Sequence, residues 1–386
     1  MELIRRTGMN GGMGVDFSNE ELVKAVMKEG WIGTLAGSAV GACDYYSNIA
    51  TEGRGMKVYH RANEVAMLRK IDDVRTEVPD GVLAVNLMAA MSDFKEMVDI
   101  IGRSGKVDLL FVGAGLPRDL PEQMTQYPHM HYAPIVSSAR AASAMLKAGI
   151  RTGRLPTAFY VELPQFAGGH LGASAKDPND ALDGEKFEAA KLLAEIRAVF
   201  EEPDIQKALQ EAGWPEIPLI LAGGIADENG IARAEAAGAD SVSVGTRLLL
   251  TQESGLPNNL IEDCYLNREY RVVTGFTSPA GLLSRYLVGP EGQRIDADAA
   301  AIRGRCISCI GSARCKFQAE DGELNHYCIA DRLTKTRRGE EGGTLFTGTC
   351  RDDMLDDPIY KDADGRLYIP TVREVMKLLL GPQTSA

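Results

Sequence analysis

Short apolar segments alternate with segments of helical periodicity along the first two thirds of the chain. The apolar segments predict parallel strands that are buried on both faces, and the segments between them repeat apolar residues at helical spacing. A short strand within residues 1–14 comes first. The other predicted strands lie within residues 31–36, 82–88, 107–112, 131–136, 158–163, 219–225 and 241–247. The predicted helices lie within residues 18–28, 62–69, 93–103, 139–148, 185–200 and 226–239.

Eight strands that alternate with helices predict an α/β fold, a closed (β/α)8 or TIM barrel. An open, doubly wound parallel sheet is the alternative. It is disfavoured because the glycine-rich fingerprint G-x-G-x-x-G does not follow the first strand. The barrel is therefore the predicted fold.

A short sequence motif marks the start of the first predicted helix. Ser18 is followed three residues later by Glu21, which is the spacing of a capping box. We therefore predict that Ser18 caps a helix that continues to about Lys28 and is closed by Gly30.

The alternation fades after residue 254. The chain has 386 residues, whereas a barrel of this type typically needs about 250. Residues 255–386 contain most of the cysteines. We predict two parts, a barrel over residues 1–254 and a C-terminal cysteine-containing extension over residues 255–386.

Composition narrows the class of protein. Hydrophobic residues make up 45% of the chain and charged residues 25%, which is typical of a globular protein. The net charge of −12 and the lack of a basic stripe argue against nucleic acid as a partner. No apolar run approaches the ~20 residues of a membrane helix, and the N-terminus has no signal-peptide core. We expect a cytoplasmic protein without a membrane partner, with cysteines reduced or bound to metal.

Two neighbouring strand ends carry the strongest chemical signal. Gly223 and Gly224 end the seventh predicted strand, and Gly245 and Thr246 end the eighth. In a (β/α)8 barrel, the loops after these strands commonly bind phosphate through backbone amides and a helix N-terminus. Ordinary tight turns are the alternative, since glycine marks any such turn. Because two neighbouring strand ends both carry such residues, we favour a phosphate-binding site formed by Gly223, Gly224, Gly245 and Thr246, which we call the socket.

Two polar side chains follow other strands. Asn86 interrupts the third apolar run, either as a core amide bonded to neighbouring backbone or as a ligand at the barrel mouth. His170 follows the sixth strand, and the adjacent Gly168 and Gly169 leave its surroundings open. A histidine can exchange a proton near neutral pH. We predict that His170 is catalytic, with a surface-loop histidine as the alternative.

The extension contains a cysteine pattern. Its members are Cys306, Cys309, Cys315 and Cys328. Four thiols, the first two in a C-x2-C pair, can bind zinc or a [4Fe-4S] cluster, and the spacing does not distinguish these. His326 is a substitute ligand, and four unligated thiols in a small core are the alternative. Cys43, Cys264 and Cys350 are interpreted as packing residues.

Taken together, the motifs resemble the nitronate monooxygenase (2-nitropropane dioxygenase) family, which includes flavin-dependent enoyl-acyl-carrier-protein reductases. The resemblance covers nearly the whole chain in order. Ser278-Pro279-Ala280-Gly281 and the segment ending Tyr327-Cys328-Ile329 are similar to the longer bacterial branch of this family. The motifs are Met9-Asn10-Gly11-Gly12-Met13, Asn86-Leu87-Met88, Gly113-Ala114-Gly115-Leu116-Pro117, Ala167-Gly168-Gly169-His170-Leu171-Gly172, Ala222-Gly223-Gly224-Ile225, Gly238-Ala239-Asp240 and Gly245-Thr246-Arg247.

The resemblance implies a TIM barrel that binds FMN. It implies that the phosphate lies on the socket defined above, that Asn86 hydrogen-bonds the flavin, and that His170 is the base or acid beside the ring. Typical nitronate oxidisers have a lysine after the fifth strand, where this chain has Ser137 and Ser138. The residues implied to bind the cofactor are Gly11, Gly12, Met13, Asn86, Ser137, Gly169, Gly223, Gly224, Gly245 and Thr246.

The leading hypothesis is an FMN-dependent oxidoreductase that oxidises alkyl nitronates or a related small substrate, with O2 as the oxidant. An NAD(P)H-dependent enoyl-thioester reductase on the same barrel is the second hypothesis. A metal-dependent scaffold without catalysis is the third. For the assembly we consider a homodimer.

Overall fold

Eight parallel strands build the main sheet of the computed structural model, which describes residues 4, 8–53, 55–171, 182–214, 216–275, 278, 283–290, 309–310 and 328–381. Three further strands form a small antiparallel sheet, in which residues 284–288 lie between residues 271–275 and residues 169–170. In chain order the strands are β1 Met9–Asn10, β2 Gly33–Ala36, β3 Leu83–Met88, β4 Leu109–Gly113, β5 His131–Val136, β6 Phe159–Glu162, β7 Gly169–His170, β8 Leu219–Ala222, β9 Ser241–Val244, β10 Arg271–Gly275 and β11 Ser284–Val288.

Helices follow most of the barrel strands. None of those in the described ranges combines the length and apolar character that a membrane span requires. A π-helical turn, Ile261–Tyr265, and a 3-10 turn, Pro358–Tyr360, also occur. The α-helices are Glu20–Lys28, Ala42–Glu52, Met56–Glu77, Phe94–Ser104, Leu120–Met124, Ala139–Thr152, Ala189–Phe200, Pro203–Glu211, Glu228–Ala236, Thr246–Leu249, Asn258–Leu260, Ile329–Arg337, Arg351–Met354 and Val372–Leu380.

The predicted α/β barrel is confirmed. The strand order β1-β9-β8-β6-β5-β4-β3-β2 has every pair parallel, and it brings β1 and β2 to the two edges. A bridge between Met9 and Ile32, with the Ile32 amide donating to the Gly8 carbonyl at 3.0 Å, joins these edges. The result is a near-closed barrel with helices outside.

A side chain completes the closure. Asn10 is fully buried, and its Nδ2 donates to the carbonyls of Thr34 (2.8 Å) and Gly11 (3.1 Å). Its Oδ1 accepts from the Thr34 amide at 2.8 Å. Because β1 is only two residues long, its ladder with β2 is too short to satisfy the backbone of β2. The Asn10 amide supplies those hydrogen bonds instead.

The barrel strands are buried on both faces, which explains their continuous apolar character. One cluster fills the barrel, and it includes Met9, Leu109, Phe111, Tyr160 and Ile220. A larger cluster lies between the strands and the surrounding helices. The cluster that fills the barrel also contains a buried polar contact, in which the Tyr160 hydroxyl donates to Ser243 Oγ at 2.7 Å.

The first helix begins one residue later than predicted. Asn19, not Ser18, is its N-cap, with its side chain accepting from the Leu22 amide at 3.0 Å. Both residue types cap helices well, so the sequence alone does not choose between them. Ser18 instead donates to the Gly11 carbonyl (2.6 Å) and accepts from the Met13 amide (3.0 Å). It therefore ties down the loop after β1.

The last helix, Val372–Leu380, packs into the ring of barrel helices. It contacts the helices Glu20–Lys28, Glu228–Ala236 and Thr246–Leu249. Its buried residues belong to the cluster that lies between strands and helices. Because the helix directly after β9 has only four residues, this distant segment covers the barrel there. The division at residues 254 and 255 stays a prediction, but the extension contributes to the barrel's outer layer.

We expect the Asn10→Ala variant to lower the free energy of unfolding by about 2–4 kcal/mol, because the Thr34 amide and carbonyl lose their partners in a buried site. Urea unfolding followed by circular dichroism measures this change. Asn48→Ala, at an exposed helical position, is the matched control and should change stability by less than about 0.5 kcal/mol. Equal stability of the two variants would contradict the role of Asn10.

Candidate functional site

The polar and glycine-rich positions predicted from the sequence lie at one rim of the barrel. Each lies near or after the carboxyl end of a barrel strand, and the carboxyl ends of parallel strands meet at the same face. The rim positions are residues 11–13 after β1, Asn86 in β3, Ser137 after β5, His170 in the loop region after β6, residues 223–224 after β8 and residues 245–246 after β9.

Gly12 lies directly on Asn86. A Cβ atom at Gly12 would lie 2.2 Å from Asn86 Cβ and 2.6 Å from its Cγ, so only glycine allows this approach. Asn86 is half-buried. Within the described ranges, its side-chain amide has no hydrogen-bond partner. Asn86 is therefore not a satisfied core amide within the described ranges, and its role as a ligand at the mouth stays a prediction.

The loop after β1 is held rigidly. The Gly11 amide donates to the Val244 carbonyl at 2.9 Å, which joins this loop to β9. The Gly11 carbonyl accepts from the Asn10 side chain, from Ser18 Oγ and from the Met13 amide. Met13 is half-buried at the rim. This loop can therefore support a flat ligand without rearranging.

The two glycine-rich strand ends form a set of free donors. Gly223 and Gly224 have positive φ values of 108° and 75°. Among the residues that the structure describes, no acceptor is bonded to the amides of Gly223, Gly224, Gly245 or Thr246. A Cβ atom at Gly245 would meet nothing within 4 Å. Neighbouring free amides beside open space are the arrangement that binds an anion.

The helix after Gly224 contributes less than predicted. It begins at Glu228, not directly after Gly224, and Asp227 Oδ1 caps it by accepting from the Gly230 amide at 2.7 Å. The Asp227 carboxylate therefore occupies that helix terminus. The prediction of a helix N-terminus in the socket was wrong for this helix, and the donors are the loop amides of Gly223, Gly224 and Gly245 and the amide of Thr246, which begins a four-residue helix.

Phe166 covers the socket on one side. Its side chain is 41% exposed, and its ring lies so close to Gly224 that a Cβ there would be 3.1 Å from Phe166 Cγ. Phe166 carried no signal in the sequence beyond its position before the Gly168–Gly169 pair. Its place near the socket depends on the path of the loop after β6.

The C-terminal extension also reaches the socket. Thr246 Oγ1 accepts from the Gly348 amide at 2.9 Å. The Cys350 thiol also hydrogen-bonds Thr246, and burial raises the pKa of this thiol to about 11. Cys350 was interpreted as a packing residue, but its thiol contacts the socket loop. Local sequence carries no sign of these long-range contacts.

His170 is part of β7, where it pairs with Ser284 of β11. Its Nε2 lies 2.7 Å from Ser278 Oγ, and its ring contacts the Phe346 ring edge-on. Burial lowers the pKa of His170 from 6.5 to about 4. Its imidazole is therefore neutral at pH 7.

A neutral imidazole has one donor and one acceptor nitrogen. If Nε2 carries the proton, it donates to Ser278 Oγ, and Nδ1 offers a lone pair as a base. If Ser278 donates, Nδ1 carries the proton and is a donor towards an anion. Among the described residues, Nδ1 of His170 has no partner. Either tautomer therefore leaves a lone pair or a proton on Nδ1 that no described residue uses.

Arg285 holds the loop that carries His170. Its Nη1 donates to the carbonyls of Ala167 and Pro164, and its Nε donates to Thr274 Oγ1 at 3.0 Å. Burial lowers the pKa of Arg285 to about 10, so it remains protonated at pH 7. The sequence analysis missed Arg285, since it lies in a strand of the extension.

Ser137 leaves a buried hydroxyl unsatisfied. Its Oγ is buried and has no hydrogen-bond partner in the described part of the chain. The next residue, Ser138, caps the helix Ala139–Thr152. Buried polar atoms in native proteins are normally bonded, so the Ser137 hydroxyl is suited to a ligand at the rim.

Of the four cysteines predicted to bind metal, only Cys309 and Cys328 lie in the described part of the chain. Cys306, Cys315 and His326 lie outside the described residues, as does Gly172. Cys309 is buried, and Cys328 lies 3.9 Å from the Tyr46 hydroxyl. Within the described ranges, no three side chains form a metal-binding group. The zinc or iron–sulfur site stays a prediction without structural support.

Comparison with known families identifies a relationship over most of the chain. The family model for nitronate monooxygenase matches residues 4–357. A curated relative is the (3aS,4S,5R,7aS)-5-hydroxy-7a-methyl-1-oxo-octahydro-1H-indene-4-carboxyl-CoA dehydrogenase of Rhodococcus jostii (strain RHA1), which is 42% identical over 162 residues. This match covers 42% of the present chain and 44% of the relative, so it spans less than half of either protein.

Solved structures share the fold. FabK from Thermotoga maritima aligns with a TM-score of 0.64 and 19% identity, covering 98% of this chain and 93% of that chain. Nitroalkane oxidase from Streptomyces ansochromogenes aligns with a TM-score of 0.58 and 18% identity, covering 90% of this chain and 91% of the other. At these identities, the structural likeness supports the fold.

The low pKa of His170 predicts a pH-dependent stability. In the unfolded chain His170 binds a proton below about pH 6.5, whereas in the folded protein it stays neutral down to about pH 4. The free energy of unfolding should therefore fall as the pH drops from about 6.5 to about 4. Urea unfolding at pH 7 and about pH 4.5 should show that wild type loses about 2–3 kcal/mol more than His170→Gln. Equal losses would show that His170 titrates normally.

Proposed function

The chain belongs to the nitronate monooxygenase family, and from this premise we propose that it is an FMN-dependent oxidoreductase that oxidises an alkyl nitronate or a related small substrate. Membership of this family makes the protein an oxidoreductase, which excludes the non-catalytic scaffold as its main role. The observation that carries the proposal is the set of free amides of Gly223, Gly224, Gly245 and Thr246, on the same rim as the neutral imidazole of His170.

The rim residues fit FMN. The free amides would hold the phosphate, with Gly245 leaving room for its oxygens. The loop of Gly11, Gly12 and Met13 would lie against the flat ring, and Asn86 has an uncommitted side-chain amide to bond it. The orphaned Ser137 hydroxyl would gain a partner. The family is flavin-dependent, and a bound flavin supplies the electron transfer from substrate to oxidant.

His170 would handle the proton. A neutral imidazole beside an anionic nitronate can donate a hydrogen bond from Nδ1, and a nearby anion raises the pKa of the imidazole. If the related substrate is a neutral nitroalkane, the other tautomer lets Nδ1 accept a proton from the carbon next to the nitro group, which leaves the nitronate. Ser278 would set the ring orientation through Nε2. The low pKa keeps His170 neutral until an anionic substrate is bound.

A thioester substrate is the second candidate. The curated relative is a carboxyl-CoA dehydrogenase, and the carbon next to a thioester carbonyl forms a planar, delocalised anion much as a nitronate does. The absence of lysine at Ser137 also removes the residue that typical nitronate oxidisers are expected to have at that position. His170 could serve either anion with the same atom.

Anaerobic reduction of the flavin discriminates among the candidates. Purified protein is loaded with FMN and mixed separately with an alkyl nitronate, an acyl-CoA, NADH and NADPH, and the flavin absorbance is followed. Rapid bleaching by the nitronate supports the leading proposal. Bleaching by acyl-CoA favours the dehydrogenase, and bleaching by NADH or NADPH favours the enoyl-thioester reductase. Protein that does not bind FMN would reject all three.

We expect Gly245→Ala to weaken FMN binding about 10- to 100-fold, which corresponds to about 1.4–3 kcal/mol. The added methyl group meets no protein atom within 4 Å and would occupy the space left for the phosphate. Isothermal titration of cofactor-free protein with FMN measures the change. Gly184→Ala, whose Cβ also meets nothing within 4 Å and which is not one of the socket glycines, is the control and should bind normally.

We expect His170→Ala to retain FMN but to lower kcat about 10²- to 10⁴-fold, since a positioned acid or base contributes that much. Ser278→Ala should cause a smaller loss, about 10-fold, because it disturbs only the orientation of the ring. Steady-state kinetics with the reducing substrate identified above measures both. His129→Ala, an exposed histidine before β5 at the opposite end of the barrel, should not change kcat. Full activity of His170→Ala would remove the catalytic role.

A further inference from the structure

Phe346 belongs to the extension but lies in the candidate site. Its ring centroid is 5.2 Å from that of His170, with an angle of 63° between the ring planes, so the two rings meet edge to face. A Cβ atom at Gly169 would be 3.5 Å from Phe346 Cδ2. The ring therefore forms a wall beside the Gly169–His170 strand.

Backbone contacts fix the position of this ring. The Phe346 carbonyl accepts from the buried Tyr265 hydroxyl at 2.7 Å, and Phe346 bridges Tyr286 of β11. On either side, the Leu287 amide donates to the Leu345 carbonyl at 2.8 Å and the Thr347 amide donates to the Arg285 carbonyl at 3.4 Å. Residues 345–347 thus extend the sheet that contains His170.

The same segment continues to the phosphate socket. Gly168 packs against the backbone of Thr347 and Gly348, with no room for a side chain. The Gly348 amide then bonds Thr246, and the Thr349 amide donates to the Phe166 carbonyl at 3.2 Å. Residues 345–349 therefore line the rim from His170 to the socket, which makes this part of the extension a wall of the site.

We propose that Phe346 is a positioning and specificity residue for His170: its ring sets the imidazole plane, keeps water from the ring, and limits the size of the group that the reacting carbon of the substrate can carry. This proposal rests on the proposed role of His170 for its consequence in turnover. The effect on the imidazole itself does not depend on any particular substrate.

The environment of His170 explains why Phe346 should matter. The charged residue on β11, the strand with which β7 pairs, is Arg285, which donates to the loop carbonyls. Glu162 and Cys350 lie close enough to Arg285 to act on its pKa. Of the tyrosines beside Phe346, Tyr265 donates to its carbonyl and Tyr286 is bridged to it. Burial alone lowers the pKa of His170. An apolar ring in contact with the imidazole is therefore an effective way to disfavour its charged form.

The first test measures the imidazole directly. Protein labelled with 13C and 15N in histidine is titrated by NMR without cofactor, and His170→Gln identifies the His170 signal. We expect Phe346→Ser to admit water and raise the pH at which His170 titrates by about one unit or more, while the apolar Phe346→Leu raises it less. Leu367→Ala removes an exposed side chain of the extension and is the matched control, with no shift expected.

The second test measures specificity. The substrates are a branched and a small member of whichever class reduces the flavin, and kcat/KM is measured for each. The ratio of kcat/KM for the branched substrate to that for the small one should rise about 10-fold in Phe346→Leu, because one or two methylene groups give about that discrimination. Leu367→Ala should leave the ratio unchanged. Circular dichroism confirms that each variant is folded.

These outcomes separate the two proposals. A shifted His170 titration in Phe346→Ser supports the positioning role even if no nitronate is oxidised. An unchanged titration in both folded Phe346 variants overturns that role, and an unchanged ratio overturns the specificity role. Failure of every substrate to reduce bound FMN would overturn the proposed function, while the NMR result would still stand.

Discussion

The closure of the barrel by Asn10 is the interaction on which the site depends. A parallel sheet presents its carboxyl ends along one edge, and only closure bends that edge into a ring that surrounds one ligand. Here the first strand is two residues long, so the buried side-chain amide of Asn10 makes hydrogen bonds to Thr34 that a longer strand ladder would otherwise make. The same amide donates to the Gly11 carbonyl. Closing the barrel and shaping the loop after β1 are therefore one arrangement.

The loop after β1 and the C-terminal extension meet at this rim. The loop after β1 provides Gly12, which lies against Asn86, and the extension provides Phe346 and Gly348. The last helix, Val372–Leu380, covers the barrel where the helix after β9 is too short. An extension that both covers the barrel and lines its mouth is a structural part of the site. Changes in residues 345–349 should therefore alter chemistry as well as stability.

Burial lowers the pKa of two neighbouring basic side chains, but it leaves them with different charges at pH 7. Arg285 is buried but donates to two loop carbonyls and a hydroxyl, and its high intrinsic pKa keeps it charged. The ordinary pKa of histidine, 6.5, is close to neutral pH, and burial without a charged partner is enough to keep His170 uncharged at pH 7. The pair gives a rigid, positively charged support behind a neutral imidazole. That arrangement suits a reaction in which negative charge develops on the substrate, because the imidazole can respond to the charge when it forms.

The sequence by itself determined the barrel, because the alternation of apolar runs and helical periodicity is a local property. It also placed the rim residues Gly12, Asn86, His170 and the two glycine-rich strand ends, since each lies within or soon after an apolar run that predicts a strand. It could not choose between Ser18 and Asn19 as a cap, because both are suitable and only the path of the loop after β1 assigns Ser18 to Gly11. Tertiary structure alone decided the role of Asn10, the support of His170 by Arg285, and the approach of Phe346 and Gly348 to the rim. These contacts join residues far apart in the chain, and their geometry depends on how the whole barrel closes, which no local pattern encodes.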